Sequence, residues 1–157
     1  MANKSERHRL SLIMATLGPS TDDEKELLTM ITAGIARQWT DGVDIARVVY
    51  NDGEETIINR VNIFRDQCSK RNFDTSVYLD TDDTDTENFE KYLSLAKIIN
   101  PKYLSIPKTF GLDMISEAKK HFKNEMLIGV RVKENDDISD IESYFEIADF
   151  VMVELDS

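Results

Sequence analysis

The chain has 157 residues, enough for one domain with a core of useful size. Hydrophobic residues make up 41% and charged residues 31%, the balance of an ordinary globular protein. A formal net charge of -11 argues against a nucleic-acid partner and against an anionic membrane surface, because both need a cationic footprint.

From the N-terminus, Met1 to Glu6 contains no apolar signal region. No apolar run approaches the roughly 18–20 residues of a membrane span. Leu10 to Leu17 is an apolar run and predicts a first strand, broken by Gly18-Pro19-Ser20. Thr21 and Glu24 then have capping-box spacing, and Leu27, Leu28, Ile31 and Ile35 follow at helical spacing. Val43 to Tyr50 predicts the second strand, with Arg47 set in its middle. Ile57, Ile58, Val61, Ile63 and Phe64 supply the apolar face of the next helix. The lone cysteine, Cys68, falls in this helical stretch without a partner base, so it is read as unreactive. One cysteine also excludes an intrachain disulfide, and a reducing, cytoplasmic location is expected.

Thr75 to Leu79 predicts strand three, and an acidic run from Asp80 to Glu87 follows. Thr84 and Glu87 again have capping-box spacing, ahead of a helix ending near Ile99. The alternate aspartates suggest a calcium loop only superficially. No glycine marks the sharp turn, and Lys91 stands where the twelfth-position glutamate would be. Tyr103 to Ile106, Met126 to Val132 and Phe150 to Leu155 predict strands four to six. Helices over about Leu112 to Phe122 and Ile138 to Ile147 separate them. Strands alternating with helices predict an α/β fold with a mainly parallel sheet, and no linker divides the chain. Residues 1–157 are expected to form a single domain.

Five segments carry a resemblance. Leu12 to Ser20 holds a Thr-x-Gly-Pro turn after an apolar strand, and Val43 to Gly53 reads like Ala-Arg-Leu-Asn-Phe-Ser-His-Gly. Val77-Tyr78-Leu79-Asp80-Thr81 has a Leu-Asp-Thr ending. Tyr103 to Lys108 and Ile147 to Val153 follow in the same order. Together they resemble the barrel domain of the pyruvate kinase family. The resemblance implies a TIM-barrel-like (β/α) fold, here shortened to about six parallel strands. It also marks departures: no lid domain after strand three, no strands seven and eight, no C-terminal domain, and an insertion around Ala33 to Thr40.

The resemblance implies site residues one by one. Arg47 matches the substrate-phosphate arginine. Val49 matches a monovalent-cation ligand poorly, Asn51 tolerably, and Asp80 and Thr81 fully. Strand five of the family carries Lys-x-Glu for phosphoryl transfer and a divalent metal. Here one register offers Arg131 and Lys133, another Val132 and Glu134, and neither gives lysine followed by glutamate. Lys108, after strand four, could join the same rim. The ligand-binding candidates are therefore Arg47, Asn51, Asp80, Thr81, Lys108 and Arg131. No catalytic set is assigned, the metal ligands are left unknown, and a divalent or monovalent cation is the one cofactor type in view.

The two histidines, His8 and His121, read as solvated, and no phosphate-loop or metal-spacing motif is present. The leading expectation is a pyruvate-kinase-like protein without kinase activity, regulatory or scaffolding through protein contacts, with a residual anion site. The alternative is a small enzyme acting on a phosphorylated or carboxylated metabolite such as phosphoenolpyruvate or pyruvate. Open sheet edges in a six-strand remnant point to a protein partner or self-association, with a homodimer expected. A barrel completed by another chain is the third possibility.

Overall fold

The computed structural model describes residues 11–33, 42–51, 53–82 and 85–155. His8, Thr84 and the insertion beyond Ala33 lie outside them. The strands are β1 (Met14–Thr16), β2 (Ile45–Val49), β3 (Ser76–Asp80), β4 (Tyr103–Pro107), β5 (Leu127–Lys133) and β6 (Phe150–Glu154). The helices are α1 (Glu24–Thr32), α2 (Glu54–Ser69), α3 (Phe89–Ile99), α4 (Leu112–Phe122) and α5 (Ile141–Ile147). Each strand pairs in parallel with the next in sequence, giving the order β1-β2-β3-β4-β5-β6. The result is a curled half-barrel, the expected TIM-barrel-like α/β fold.

Alternation along the strands assigns each side chain to a face. Ala46, Val48, Val77, Leu79, Leu104, Ile106, Ile128 and Val130 point outward, where all are buried. They meet Ile57, Val61 and Phe64 of α2, Leu93 and Ala96 of α3, and Ile115 and Phe122 of α4 in one apolar cluster. Full burial of a side chain such as Phe64 stabilises the fold by about 1.5–3 kcal/mol. This outer layer is the main core.

The concave face is built differently. Its lower part is aromatic: Tyr78, Tyr103 and Phe150 meet at centroid distances of 5.7–6.5 Å. Gly129 makes room for this group, because a Cβ there would collide with the Phe150 ring. The upper part, toward the C-terminal strand ends, is polar. Between those ends, registered β3–β4 pairing covers Tyr78–Tyr103 and Leu79–Leu104. Just above, the Tyr92 hydroxyl lies 3.0 Å from the Leu79 carbonyl and 2.7 Å from that of Ser105. A helix side chain thus fills the gap between the diverging strands and satisfies their backbone acceptors.

Local differences from the sequence expectations have physical reasons. The predicted first strand narrows to three residues at the sheet edge, where Leu12 and Ile13 are exposed. Thr21 does not cap α1. It closes a 3-10 turn over Pro19–Thr21, its hydroxyl donating to the Gly18 carbonyl at 2.9 Å. Asp23 is the cap instead, accepting from the Lys25 and Glu26 amides at 3.0 and 3.1 Å. Similarly, Asp85 accepts from the Glu87 amide at 2.9 Å at the start of the turn before α3. In both places a carboxylate meets the positive helix end, which a threonine hydroxyl does less well. Cys68 is buried, and that burial pushes its thiol pKa up, in keeping with an unreactive sulfur. No helix among the described residues is long and apolar enough to cross a membrane.

Candidate functional site

A row of polar side chains crosses the concave face near the C-terminal strand ends, one from each strand. Thr16 of β1 accepts at Oγ1 from Arg47 Nη1 at 3.2 Å. Arg47 of β2 grips Asp80 of β3 from Nε at 2.9 Å and Nη2 at 2.6 Å, both on Oδ2. Asp80 is 0% exposed, and its Oδ1 accepts from Ser105 Oγ of β4 at 2.5 Å and from the Thr81 amide at 2.9 Å. Arg131 of β5 holds its Nε 3.6 Å from Asp80 Oδ1. Its Nη1 lies 2.8 Å from Asp82 Oδ1 and 3.0 Å from Glu154 Oε2 of β6. Two guanidiniums therefore face three carboxylates.

The electrostatics follow from burial. A buried aspartate persists in its charged form only with donors around it, and Asp80 has four. Burial pulls the Arg47 pKa down, but hydrogen bonding and the charges of Asp80 and Asp82 outweigh it and hold the guanidinium above its ordinary value. Arg131 is 2% exposed, and its Nε has no hydrogen-bond partner among the described residues. Burial, with the Asp80 charge, pushes the nearby Tyr78 phenol up, so that it stays neutral.

The structure brings four of the sequence candidates together: Arg47, Asp80, Arg131 and, through its amide, Thr81. Asn51 stands at the margin, exposed, with Nδ2 3.4 Å from Asp82 Oδ2. Lys108 is turned elsewhere. Its ammonium lies 2.6 Å from Asp140 and 4.9 Å from the centre of the Tyr144 ring, and the Asp140 hydrogen bond raises its pKa. Sequence reasoning missed Thr16, Ser105 and Asp82. Each lies on or just past a strand end already recognised, so inner-face alternation was the available signal for Thr16 and Ser105.

The β5 register is resolved. Arg131 pairs with Pro107 and Met152, Lys133 with Glu154, and the inner positions are Gly129, Arg131 and Lys133. Lys133 therefore stands at the inner end of β5, opposite Glu154. Among the described residues no group of three or more His, Cys, Asp or Glu is arranged to hold a metal. Val49, an inner residue of β2, offers no ligand atom either.

A groove of about 620 Å³ lies outside the barrel, between the turn after β1 and α2. Its buried Arg60 is closed by Asp22 at 2.6 and 2.8 Å, an internal tie between these two segments. The concentration of buried charge is in the concave row, not here.

No protein-family model matches the chain, and no curated protein matches it. Solved structures do. A candidate phosphonomutase from Burkholderia cenocepacia superposes with TM-score 0.63 at 12% identity, over 91% of this chain and 62% of that one. Two crystal forms of 2,3-dimethylmalate lyase, a PEP mutase/isocitrate lyase superfamily member, superpose with TM-scores of 0.57 and 0.56. Their identities are 12% and 14%, over 71% of this chain and 43% and 42% of theirs. The chain spans between two-fifths and two-thirds of the length of these proteins. At such identity the likeness establishes the fold.

Proposed function

We propose that the concave polar row binds a small carboxylated or phosphorylated metabolite and that the chain performs no phosphoryl transfer. The observation that carries the reading is the convergence of Arg47 and Arg131, from strands β2 and β5 on the same concave face, on the strand ends around Asp80. Ligands of α/β barrels gather at that end of the strands. Guanidiniums are the side chains best shaped for carboxylate and phosphate oxygens. Against kinase chemistry stand Lys133 and Val49, which occupy positions where the pyruvate kinase resemblance calls for cation ligands. Transfer of a phosphoryl group needs metal ions to neutralise the developing charge.

This supports a pyruvate-kinase-like half-barrel whose catalytic set has eroded while an anion site remains, acting as a regulatory or scaffold protein. The β1 and β6 edges, unpaired among the described residues and with Leu12, Ile13, Val151 and Val153 exposed, support a protein-contact role and the expected homodimer. One observation favours a second reading, an enzyme acting on such a metabolite. The fold neighbours include a lyase and a candidate phosphonomutase.

Thermal-shift titration with phosphoenolpyruvate, pyruvate, oxaloacetate and sugar phosphates tests the site. Ligand at a hundredfold its Kd stabilises by about 2.7 kcal/mol, a readily measured shift. Stabilisation by at least one of these anions, lost in Arg47→Met, is the expected result, and no shift at millimolar concentration overturns it. Nuclear magnetic resonance of the same mixtures separates binding from turnover. Phosphorylation of ADP from phosphoenolpyruvate, abolished by Arg47→Met, would refute the loss of kinase chemistry. Light scattering reads the dimer, which a monodisperse monomer at high concentration removes.

A further inference from the structure

We propose that Asp82 and Glu154 act as internal stand-ins for a ligand anion on Arg131, so that the site binds an external carboxylate or phosphate by exchange against them. The inference rests on the anion-site reading above and adds its regulation.

Arg131 is always charged and 2% exposed, so it must keep an anion beside it. Its three carboxylate neighbours differ sharply in burial. Asp80 is wholly buried, but its oxygens are already taken by Arg47, Ser105 and the Thr81 amide, and at 3.6 Å it makes no hydrogen bond to Arg131 Nε. Close neutralisation therefore falls to Asp82 and Glu154, whose side chains are 44% and 35% exposed.

Both converge on one nitrogen, Nη1, at 2.8 and 3.0 Å. Two like charges on one donor oppose each other, so the loss of either is partly offset. Each, once released, returns to water at small cost, as exposed ion-pair partners do. Asp80 cannot leave in the same way. The buried cation is thus capped at Nη1 by exchangeable carboxylates. An incoming carboxylate or phosphate replaces one or both caps on that nitrogen. Apparent affinity is then lowered by the fraction of molecules in which the caps are closed.

The test is calorimetric titration with oxalate and with inorganic phosphate, on the wild type, Asp82→Asn, Glu154→Gln and Asp137→Asn. Asp137 is exposed and accepts from the Ser139 amide, so its variant changes net charge equally without touching Arg131. Asp82→Asn and Glu154→Gln are expected to tighten binding about 5–10-fold, while lowering the melting temperature of the free protein. A purely structural ion pair would lower both stability and affinity. The oxalate and phosphate arms tell which anion the site prefers. If the wild type binds either anion and neither variant tightens it beyond Asp137→Asn, the exchange is wrong and the anion site stands. If no protein in the series binds either anion, the site itself falls, and the exchange with it.

Discussion

Replacing Arg47 by Met tests whether the concave row holds the half-barrel together as well as serving a ligand. Methionine keeps an unbranched stem along the strand but removes the guanidinium. Asp80 is then left wholly buried with Oδ2 unpaired, while Oδ1 keeps Ser105 and the Thr81 amide. Removing one partner of a buried pair costs about 3–5 kcal/mol. Arg47 is 16% exposed, which admits some water, and the two remaining donors soften the penalty. The expected loss is therefore about 2–4 kcal/mol, or roughly 6–12 °C in Tm for a domain of this size. Urea unfolding of four proteins measures it: wild type, Arg47→Met, Asp80→Asn and the double variant. In the Asp80→Asn background the uncompensated charge is gone, so Arg47→Met should cost no more than about 1 kcal/mol. The coupling is then about 2 kcal/mol, well above the ~0.5 kcal/mol scatter of independent sites. A loss under ~1 kcal/mol in the wild-type background, or equal losses in both, refutes the buried-pair account.

The aromatic floor and the outer tie make separate predictions. Gly129→Ala drives a methyl group into the Phe150 ring and should cost about 1–3 kcal/mol in urea unfolding, with Phe150→Leu recovering part of it; an unchanged midpoint would remove the ring from that place. Asp22 has its pKa lowered, first by the hydrogen bond from Arg60, so the native state binds fewer protons than the unfolded chain as the carboxylate titrates. Its contribution is complete above the ordinary value of 3.8 and disappears as pH falls through the lower folded value. Arg60→Ala should therefore be less stable than the wild type at about pH 7, with the gap narrowing as pH falls through the lower folded value, and a gap that stays constant into acid overturns this.

The order of elements was legible because two periodicities, of 2.0 and 3.6 residues, switch cleanly along the chain. Both ends of α4 fall where the sequence pattern puts them, since Leu112, Ile115, Ala118 and Phe122 keep one buried or half-buried stripe. Helix starts were less legible. Thr21 with Glu24 matched a spacing, but Pro19 at the head of a 3-10 turn moved the true cap to Asp23. The site was half legible. Arg47 and Arg131 stand out as cations in apolar strands, where burial demands an anion. Ser105 and Thr16 are common strand residues, and nothing in their local pattern distinguishes a hydroxyl facing a carboxylate from one facing water. Lys108 shows the converse. A lysine after a strand end has a long stem, and whether it turns inward or toward Asp140 depends on α5, which lies more than thirty residues further along the chain.

The β5 register bears most directly on chemistry. A slip of one residue would have put Val132 and Glu134 inward, offering a carboxylate opposite Asp80 and thus a place for a divalent ion. The hydrophobic demand of the outer core decides otherwise: Ile128, Val130 and Val132 must face the helices, and all three are buried. That requirement sends Gly129, Arg131 and Lys133 inward as a consequence. Moving Glu134 into the site would take three aliphatic side chains out of the outer core into the polar row and set Arg131 among apolar ones, at a cost of several kcal/mol. The inward position of Lys133 is therefore enforced by packing over the whole strand. Placing a carboxylate there would take only Lys133→Glu, which leaves the apolar pattern untouched and sets the new group beside Glu154.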